Sequence, residues 1–211
     1  LAGWVDAMWA DEVLRNAGPR VYFVASEGGG IRAAYWTART LAALHAQVPE
    51  FDRRTFMLSG VSGGAVGAAA YSACLEYRDQ REGGINGVDG CVGRFGNVDL
   101  LTPLLGAWLF EDALARLLPT TVRLGGHALC RQPGCGFLSR GLWFEQALER
   151  ADPVLSQGIA TRAAARGPNE PRLFLNSTWV ESGDRAIASS VHADWERGFA
   201  PARDQINAAS P

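Results

Sequence analysis

The sequence contains no lysine, so the 20 basic residues of this 211-residue chain are all arginines. Without lysine, the chain has no P-loop lysine for a nucleotide phosphate, no amine for a Schiff base and no serine–lysine dyad. The net charge of -2 also argues against a broad basic surface, so nucleic acid is not an expected partner. A dinucleotide fingerprint starting at Gly60 is excluded too, because Ser62 stands where G-x-G-x-x-G requires glycine.

The sequence also lacks a long hydrophobic run. A helix that spans a bilayer needs about 18 or more apolar residues, and the most apolar segment, residues 100–118, is interrupted by Glu111, Asp112 and Arg116. We therefore expect no transmembrane segment and a location in the cytoplasm or at the membrane periphery. Residues 100–118 have three interpretations: a wall of an acyl-chain pocket, a helix at a lipid interface, or a buried core helix.

Cysteine is scarce but sufficient for two disulfide bonds. Cys130 and Cys135 enclose a turn sequence that suits a small disulfide loop, which leaves Cys74 and Cys91 as the other pair in an exported protein. Free thiols are the equal alternative. The C-x4-C spacing is not a usual zinc site, so we expect neither a metal nor another cofactor.

The strongest local signal in the sequence is a serine between glycines. Residues 56–70 read FMLSGVSGGAVGAAA, in which an apolar run is followed by G-x-S-x-G and then by a small-residue pattern typical of a helix. This order predicts a strand, a sharp turn and a helix, the arrangement called a nucleophile elbow. Ser62 then lies exposed at the helix N-terminus, where unpaired amides favour a developing negative charge. The flanking glycines, which leave room for the strained turn, are Gly60, Gly63 and Gly64. An ordinary glycine-rich turn is the alternative.

A run of three glycines precedes this elbow by one strand and one helix. Residues 21–26 predict a buried strand, residues 27–32 read EGGGIR, and a helix follows to about His45. No side chain covers the backbone amides of the run, as an oxyanion hole requires. The three residues are Gly28, Gly29 and Gly30.

Arg32 ends this second motif at the first turn of the predicted helix. It either holds the glycine loop or attracts an anionic head group, with a solvated surface arginine as the alternative. Two successive βα units place the glycine loop and the elbow at the carboxyl ends of parallel strands, where open α/β sheets bind ligands.

Together, the two motifs resemble the patatin-like phospholipase family, in which a G-G-G-x-R/K oxyanion loop precedes a G-x-S-x-G elbow by one βα unit. Residues 28–32 and 60–64 match these motifs, and the resemblance spans most of residues 20–191. Further stretches similar to bacterial members are residues 99–119, 144–150 and 173–180.

The resemblance implies a three-layer α/β/α sandwich with a mostly parallel central sheet. It also implies a serine hydrolase of lipid esters, in which Ser62 is the nucleophile of a Ser–Asp dyad and no histidine takes part. The implied partners are a lipid substrate and the membrane surface, without metal or cofactor.

The sequence departs from this family at the catalytic aspartate. The family carries it in a D-G-G or D-G-A triplet after the elbow, and residues 1–211 contain neither. The only Asp-Gly pair begins at Asp89, and the helix after Ser62 descends about 20 Å away at about 1.5 Å per residue. We therefore expect the aspartate beyond Pro211 and expect this chain alone to be inactive. On this view, residues 1–19 form a helical lead-in, and residues 20–211 form a partial patatin-like domain. No signal peptide is visible in the sequence.

Two other functions stay open. One is a conventional α/β-hydrolase with a triad of Ser62, Asp152 or Asp184, and His192. The single βα unit between glycine loop and elbow argues against it, and His192 also fits a surface residue. The other is a non-catalytic lipid-binding or interaction domain.

The remaining sequence fits one globular α/β domain, because 47% of residues are hydrophobic and 20% are charged. Residues 1–19 have a helical spacing with one apolar face, which we expect to pack on the core rather than approach a membrane. Residues 78–98, rich in glycine and polar residues, predict a long loop. Two helices and a hairpin complete the chain: residues 141–150, 160–165, and 172–180 with 185–191.

Overall fold

The computed structural model has an α/β architecture and describes residues 2–16, 18, 20–79, 87–112, 140–157, 167, 169–191 and 202–204. These residues form two compact units. The first unit comprises Leu1–Gly96 with Gln157–Pro211, and it contains the sheet and the N-terminal helices; the second comprises Asn97–Ser156.

The helices have the following bounds: Ala2–Ala10 (α1), Glu12–Asn16 (α2), Gly30–Gln47 (α3), Phe51–Arg54 (α4), Gly63–Cys74 (α5), Gly87–Asn97 (α6), Leu101–Gly106 (α7) and Arg140–Ala151 (α8). Short 3-10 turns follow α5 and α8 at Leu75–Tyr77 and Pro153–Ser156, and a π-helical turn, Ala107–Asp112, follows α7. The helices predicted after the glycine loop, after Ser62 and at residues 141–150 are confirmed. The one predicted at residues 160–165 lies outside the described residues.

Five strands form one sheet in sequential order. They are Tyr22–Ser26 (β1), Thr55–Val61 (β2), Arg172–Thr178 (β3), Arg185–Ser189 (β4) and Ala202–Asp204 (β5). β1, β2 and β3 are parallel, β4 returns antiparallel to β3 as the predicted hairpin, and β5 is parallel to β4. The α/β class and a mostly parallel sheet are thereby confirmed.

The two helices that follow β1 and β2 pack against each other. Both crossovers step in the same direction, and right-handed connections then place α3 and α5 on the same side. Their contact is close because Gly67 has no side chain: a Cβ there would stand 2.3 Å from the carbonyl oxygen of Ala34. Small residues therefore bring the N-termini of the two helices together.

The N-terminal helices pack on the protein as predicted. Trp4, Met8 and Leu14 are buried, and the ring of Trp4 meets that of Phe56 edge-on with centroids 5.5 Å apart. The predicted single helix is divided, because the Asp11 carboxylate accepts hydrogen bonds from the amides of residues 13 and 14 and so starts a second helix.

Two expectations for the chain around the sheet were wrong. Among the strands that the structure describes, β1 is not a buried strand but the edge of the sheet. Its side chains alternate between half-buried and exposed, and Phe23 is 57% exposed. Residues 87–97 are not loop but helix α6. Its buried side chains include Val88, Val92 and Phe95, and a disulfide bond joins its Cys91 to Cys74 at the end of α5. The predicted pair is thereby confirmed, whereas Cys130 and Cys135 lie outside the described residues.

Buried charges are paired at the amino ends of the strands. Arg78 donates to Asp52, which precedes β2, at 2.9 Å and to Glu170, which precedes β3. Both carboxylates are buried. Burial opposes the charge of Arg78, but the bonds to Glu170 and Asp52 prevail and raise its pKa. We call Asp52, Arg78 and Glu170 the ion-pair network.

In the second unit, one face of α7 and the following turn is exposed. Its apolar side chains are Leu101, Leu105, Trp108 and Leu109, each at least 45% exposed. This part of residues 100–118 is therefore not a buried core helix, while residues 113–118 lie outside the described residues. None of the helices in the described ranges combines the length and apolarity that crossing a membrane requires.

Candidate active site

Ser62 occupies a strained turn between β2 and α5. Its φ of 51° and ψ of -125° lie in a region that residues with a Cβ rarely adopt. The residue is exposed, and it is the N-cap of α5 without a side-chain capping hydrogen bond. The strand, turn and helix predicted for the elbow are all present, and the Ser62 hydroxyl is not used to cap the helix.

The glycines of the elbow pack directly on the glycine loop. A Cβ on Gly63 would stand 2.1 Å from the carbonyl oxygen of Gly30, and one on Gly64 would stand 2.5 Å from that of Glu27. A Cβ on Gly60 would instead meet the backbone of Ala65 in α5 at 2.5 Å. These distances leave no space for a side chain, so residues 27–30 and 60–64 form one continuous surface, which we call the glycine rim.

The glycine loop also reaches the serine itself. A Cβ built on Gly28 would lie 3.2 Å from the Cβ and 3.7 Å from the Oγ of Ser62. Gly29 and Gly30 have φ values of 149° and 64°, which glycine adopts at little cost. Since α3 starts at Gly30 and α5 at Gly63, two helix N-termini meet beside Ser62, each with amides that lack intrahelical acceptors. Such a place suits a developing negative charge.

Two polar side chains fasten the glycine rim to the sheet. The Ser26 hydroxyl, at the end of β1, lies within hydrogen-bond distance of the carbonyl oxygens of Ser59 (3.2 Å) and Gly64 (3.1 Å). The Asn176 amide donates from β3 to Gly60 O at 3.1 Å and to Ser59 Oγ at 3.0 Å. Sequence reasoning missed these roles. Their one signal is that polar residues stand near the ends of otherwise apolar strands.

Arg32 is exposed in the first turn of α3 and has no hydrogen bond or ion pair to any residue that the structure describes. Its guanidinium is therefore not engaged in holding the glycine loop within that part of the chain. Attraction of an anion stays a prediction.

The acidic candidates are placed as follows. Asp89 does not contact the rim: its carboxylate accepts a hydrogen bond from Arg39 at 2.7 Å, nine residues along α3 and so about 13 Å from the helix start. Asp184 lies in the turn after β3, at the same end of the parallel strands as Ser62, where it accepts from the Ser182 hydroxyl. Asp152, in the second unit, accepts from the amide of residue 154. His192 lies outside the described residues.

Comparisons with protein-family models, curated proteins and solved structures found no match to this chain. Its chemistry is therefore inferred from its own residues.

Proposed function

We propose that this chain carries the nucleophile and oxyanion loop of a serine hydrolase that cleaves carboxylic esters of lipids, in the manner of patatin-like phospholipases. The observation that supports the proposal is the contact between the elbow and the glycine loop, in which Gly63 meets the carbonyl of Gly30. A reacting ester needs a nucleophile and amide donors within a few ångströms of each other.

In the proposed reaction, the Ser62 hydroxyl attacks the ester carbonyl and gives its proton to an aspartate, which we place outside the described residues. Amides of Gly28, Gly29 and Gly30 donate hydrogen bonds to the carbonyl oxygen, which stabilise the negative charge that develops there. The aspartate passes that proton to the leaving oxygen as the ester C–O bond breaks, and the alcohol leaves. Water then attacks the acyl-enzyme, its proton passes through the aspartate to the Ser62 oxygen, and the fatty acid is released. Arg32 attracts the anionic part of the substrate to the same end of α3.

The proposed architecture is a three-layer α/β/α sandwich. α3 and α5 supply one helical layer. The opposite face of the sheet still exposes Phe23 by 57% and Val61 by 46%, and a second layer would cover these side chains. The proposed substrate lies at a membrane surface, which the protein meets from the cytoplasm or as a peripheral protein.

Hydrolysis by the full-length protein tests this function. Ser62→Ala should lower kcat/KM for a short-chain phospholipid or a p-nitrophenyl ester by at least about 10³-fold, because the nucleophile is removed. Ser156→Ala is the matched control. It removes an exposed hydroxyl from the second unit and should leave kcat/KM unchanged. Hydrolysis that survives in Ser62→Ala would exclude the proposal.

The same assay separates the dyad from a triad. His192→Ala should retain the wild-type rate, because no histidine takes part in a Ser–Asp dyad. A loss comparable to that of Ser62→Ala would instead establish the conventional triad.

A further inference from the structure

A cavity of about 520 Å³ lies beside the ion-pair network, at the amino ends of β2 and β3. Asp52 of the network precedes β2 and Glu170 precedes β3, whereas Ser62 follows β2. The cavity is therefore at the opposite end of the parallel strands from the glycine rim. All the described residues that line it belong to the first unit. Cavities of this volume are typical of sites for small molecules.

The network in this cavity carries more negative than positive charge. Asp52 and Glu170 are 5% and 7% exposed, and both bind the single guanidinium of Arg78. One of the two carboxylate charges is therefore not balanced by this arginine, and a buried charge without compensation is costly. His45 Nδ1 lies 3.6 Å from Asp52 Oδ1, which is too long for a hydrogen bond, and the imidazole is charged only when it is protonated. The network therefore has a place for one more positive charge.

The remaining charged residues of the cavity do not supply it. Arg53 pairs with Glu50 at 2.9 Å and also with Asp11, which lies outside the cavity. Asp79 is exposed and forms no ion pair with any residue that the structure describes. The lining therefore presents four carboxylates and only two guanidiniums.

Two buried polar atoms of lining residues also lack a hydrogen-bond partner within the described chain. They are Oδ1 of Asn169 and Nδ1 of His45. The amide oxygen can only accept, and so can Nδ1 of a neutral imidazole that is protonated at Nε2. The Asn169 amide nitrogen donates to the carbonyl oxygen of Ala7 at 3.4 Å, a long bond that leaves the amide free to turn. Because buried polar atoms are usually paired, the cavity lacks hydrogen-bond donors as well as positive charge.

We propose that this cavity binds a small aliphatic amine through its ammonium group. An ammonium group supplies both missing features, since it carries one positive charge and three N–H donors. A metal ion suits the cavity less: among its described lining residues, no three carboxylate or imidazole ligand atoms lie within 4.8 Å of one another. The excess of carboxylates disfavours an anion. The inference does not depend on the proposed hydrolase function.

Calorimetric titration of the full-length protein with diaminobutane tests the inference, and butanediol, of the same length but without charge, is the matched control ligand. We expect diaminobutane to bind and butanediol not to bind. Glu170→Gln keeps the size of the side chain and removes the unbalanced charge, so it should weaken amine binding by about tenfold or more. Asp79→Asn, at an exposed position where folding is not at risk, should weaken it by about threefold.

Asp6→Asn is the matched control variant, because it removes an exposed carboxylate from α1, away from the cavity, and should leave amine binding unchanged. Ser62→Ala should also bind diaminobutane as the wild type does. Equal weakening by Asp6→Asn would mean general attraction to surface charge, and a loss of binding in Ser62→Ala would place the amine at the glycine rim. Either result would overturn the proposal.

Acetyllysine methylamide, which presents an ammonium group as a lysine side chain of a partner protein would, distinguishes the two sources of an amine. Weaker binding of this compound than of diaminobutane supports a free amine, and tighter binding overturns that assignment. A folded wild type that does not bind diaminobutane, or binding that neither Glu170→Gln nor Asp79→Asn weakens, would overturn the site and leave His45 to supply the missing charge.

Discussion

The two ends of the parallel strands are built from opposite chemistry. At the amino ends, the ion-pair network places two buried carboxylates on one arginine, Arg78. At the carboxyl ends, the glycine rim brings bare backbone together around an exposed serine with a positive φ. Helix α5 runs from the rim toward the network, and a disulfide bond from Cys74 fastens its far end.

This difference indicates that the two ends of the strands have different roles. At the amino ends, breaking the network would leave buried charges uncompensated, and a disulfide bond cross-links the end of α5. A cavity of about 520 Å³ adjoins this network. A strained turn and helix ends without caps cost stability, yet they provide a nucleophile and unpaired amides in one place. We therefore expect changes at the network to lower stability and changes at the rim to alter chemistry.

The largest effect on stability is expected at the ion-pair network. Arg78→Met removes the guanidinium from the buried carboxylates of Asp52 and Glu170, and only Asp52 keeps another basic neighbour in the described chain, His45 Nδ1 at 3.6 Å. This should lower the free energy of unfolding by about 3 kcal/mol. Chemical denaturation measures this loss. Arg15→Met, at an exposed position on α2, is the matched control and should stay within about 0.5 kcal/mol of wild type. An Arg78→Met protein with unchanged stability but impaired hydrolysis would contradict these separate roles of the two strand ends.

The second effect is on hydrolysis, and it concerns the contact between the elbow and the glycine loop. In Gly63→Ala, the new Cβ overlaps the carbonyl oxygen of Gly30. The loops must separate, and a displacement of this kind should lower kcat/KM by about 10²-fold. Gly93→Ala has the same chemistry in open space within α6, and it should leave hydrolysis unchanged. Wild-type rates in Gly63→Ala would show that catalysis does not need this contact.

The smallest effect is relief of strain at the nucleophile. Ser62→Gly removes the Cβ from a residue with a φ of 51° and should raise the free energy of unfolding by about 1 kcal/mol. Ser59→Gly, three residues earlier in β2, should lower it, because glycine weakens an ordinary strand and because the hydrogen bond from Asn176 to Ser59 Oγ is lost. If Ser62→Gly and Ser59→Gly shift the melting curve in the same direction, strain at Ser62 is not supported.

How far the sequence anticipates this fold depends on the range of the interactions. The elbow and glycine loop are local patterns, and their meeting follows from two successive βα units. Helix α6 was missed because four glycines in residues 87–97 suggest a loop, although Val88, Val92 and Phe95 carry a helical spacing. What holds α6 is distant in sequence, namely the disulfide bond to α5.

The polar contacts were the least predictable part. Arg78 and Glu170 are 92 residues apart, and Asn176 and Gly60 are 116 apart. No local pattern indicates either pair, because each depends on which strands become neighbours. The edge position of β1 has the same origin: its apolar sequence suggests burial, while the strand order decides exposure.

The central claim is that Ser62 is a reactive nucleophile on the glycine rim. Treating the folded full-length protein with a fluorophosphonate probe and locating the adduct by mass spectrometry tests this most directly. We expect one adduct on Ser62, absent in Ser62→Ala and retained in His192→Ala. A folded protein that takes no probe, or an adduct that persists in Ser62→Ala, would contradict the claim and favour a lipid-binding domain without catalysis.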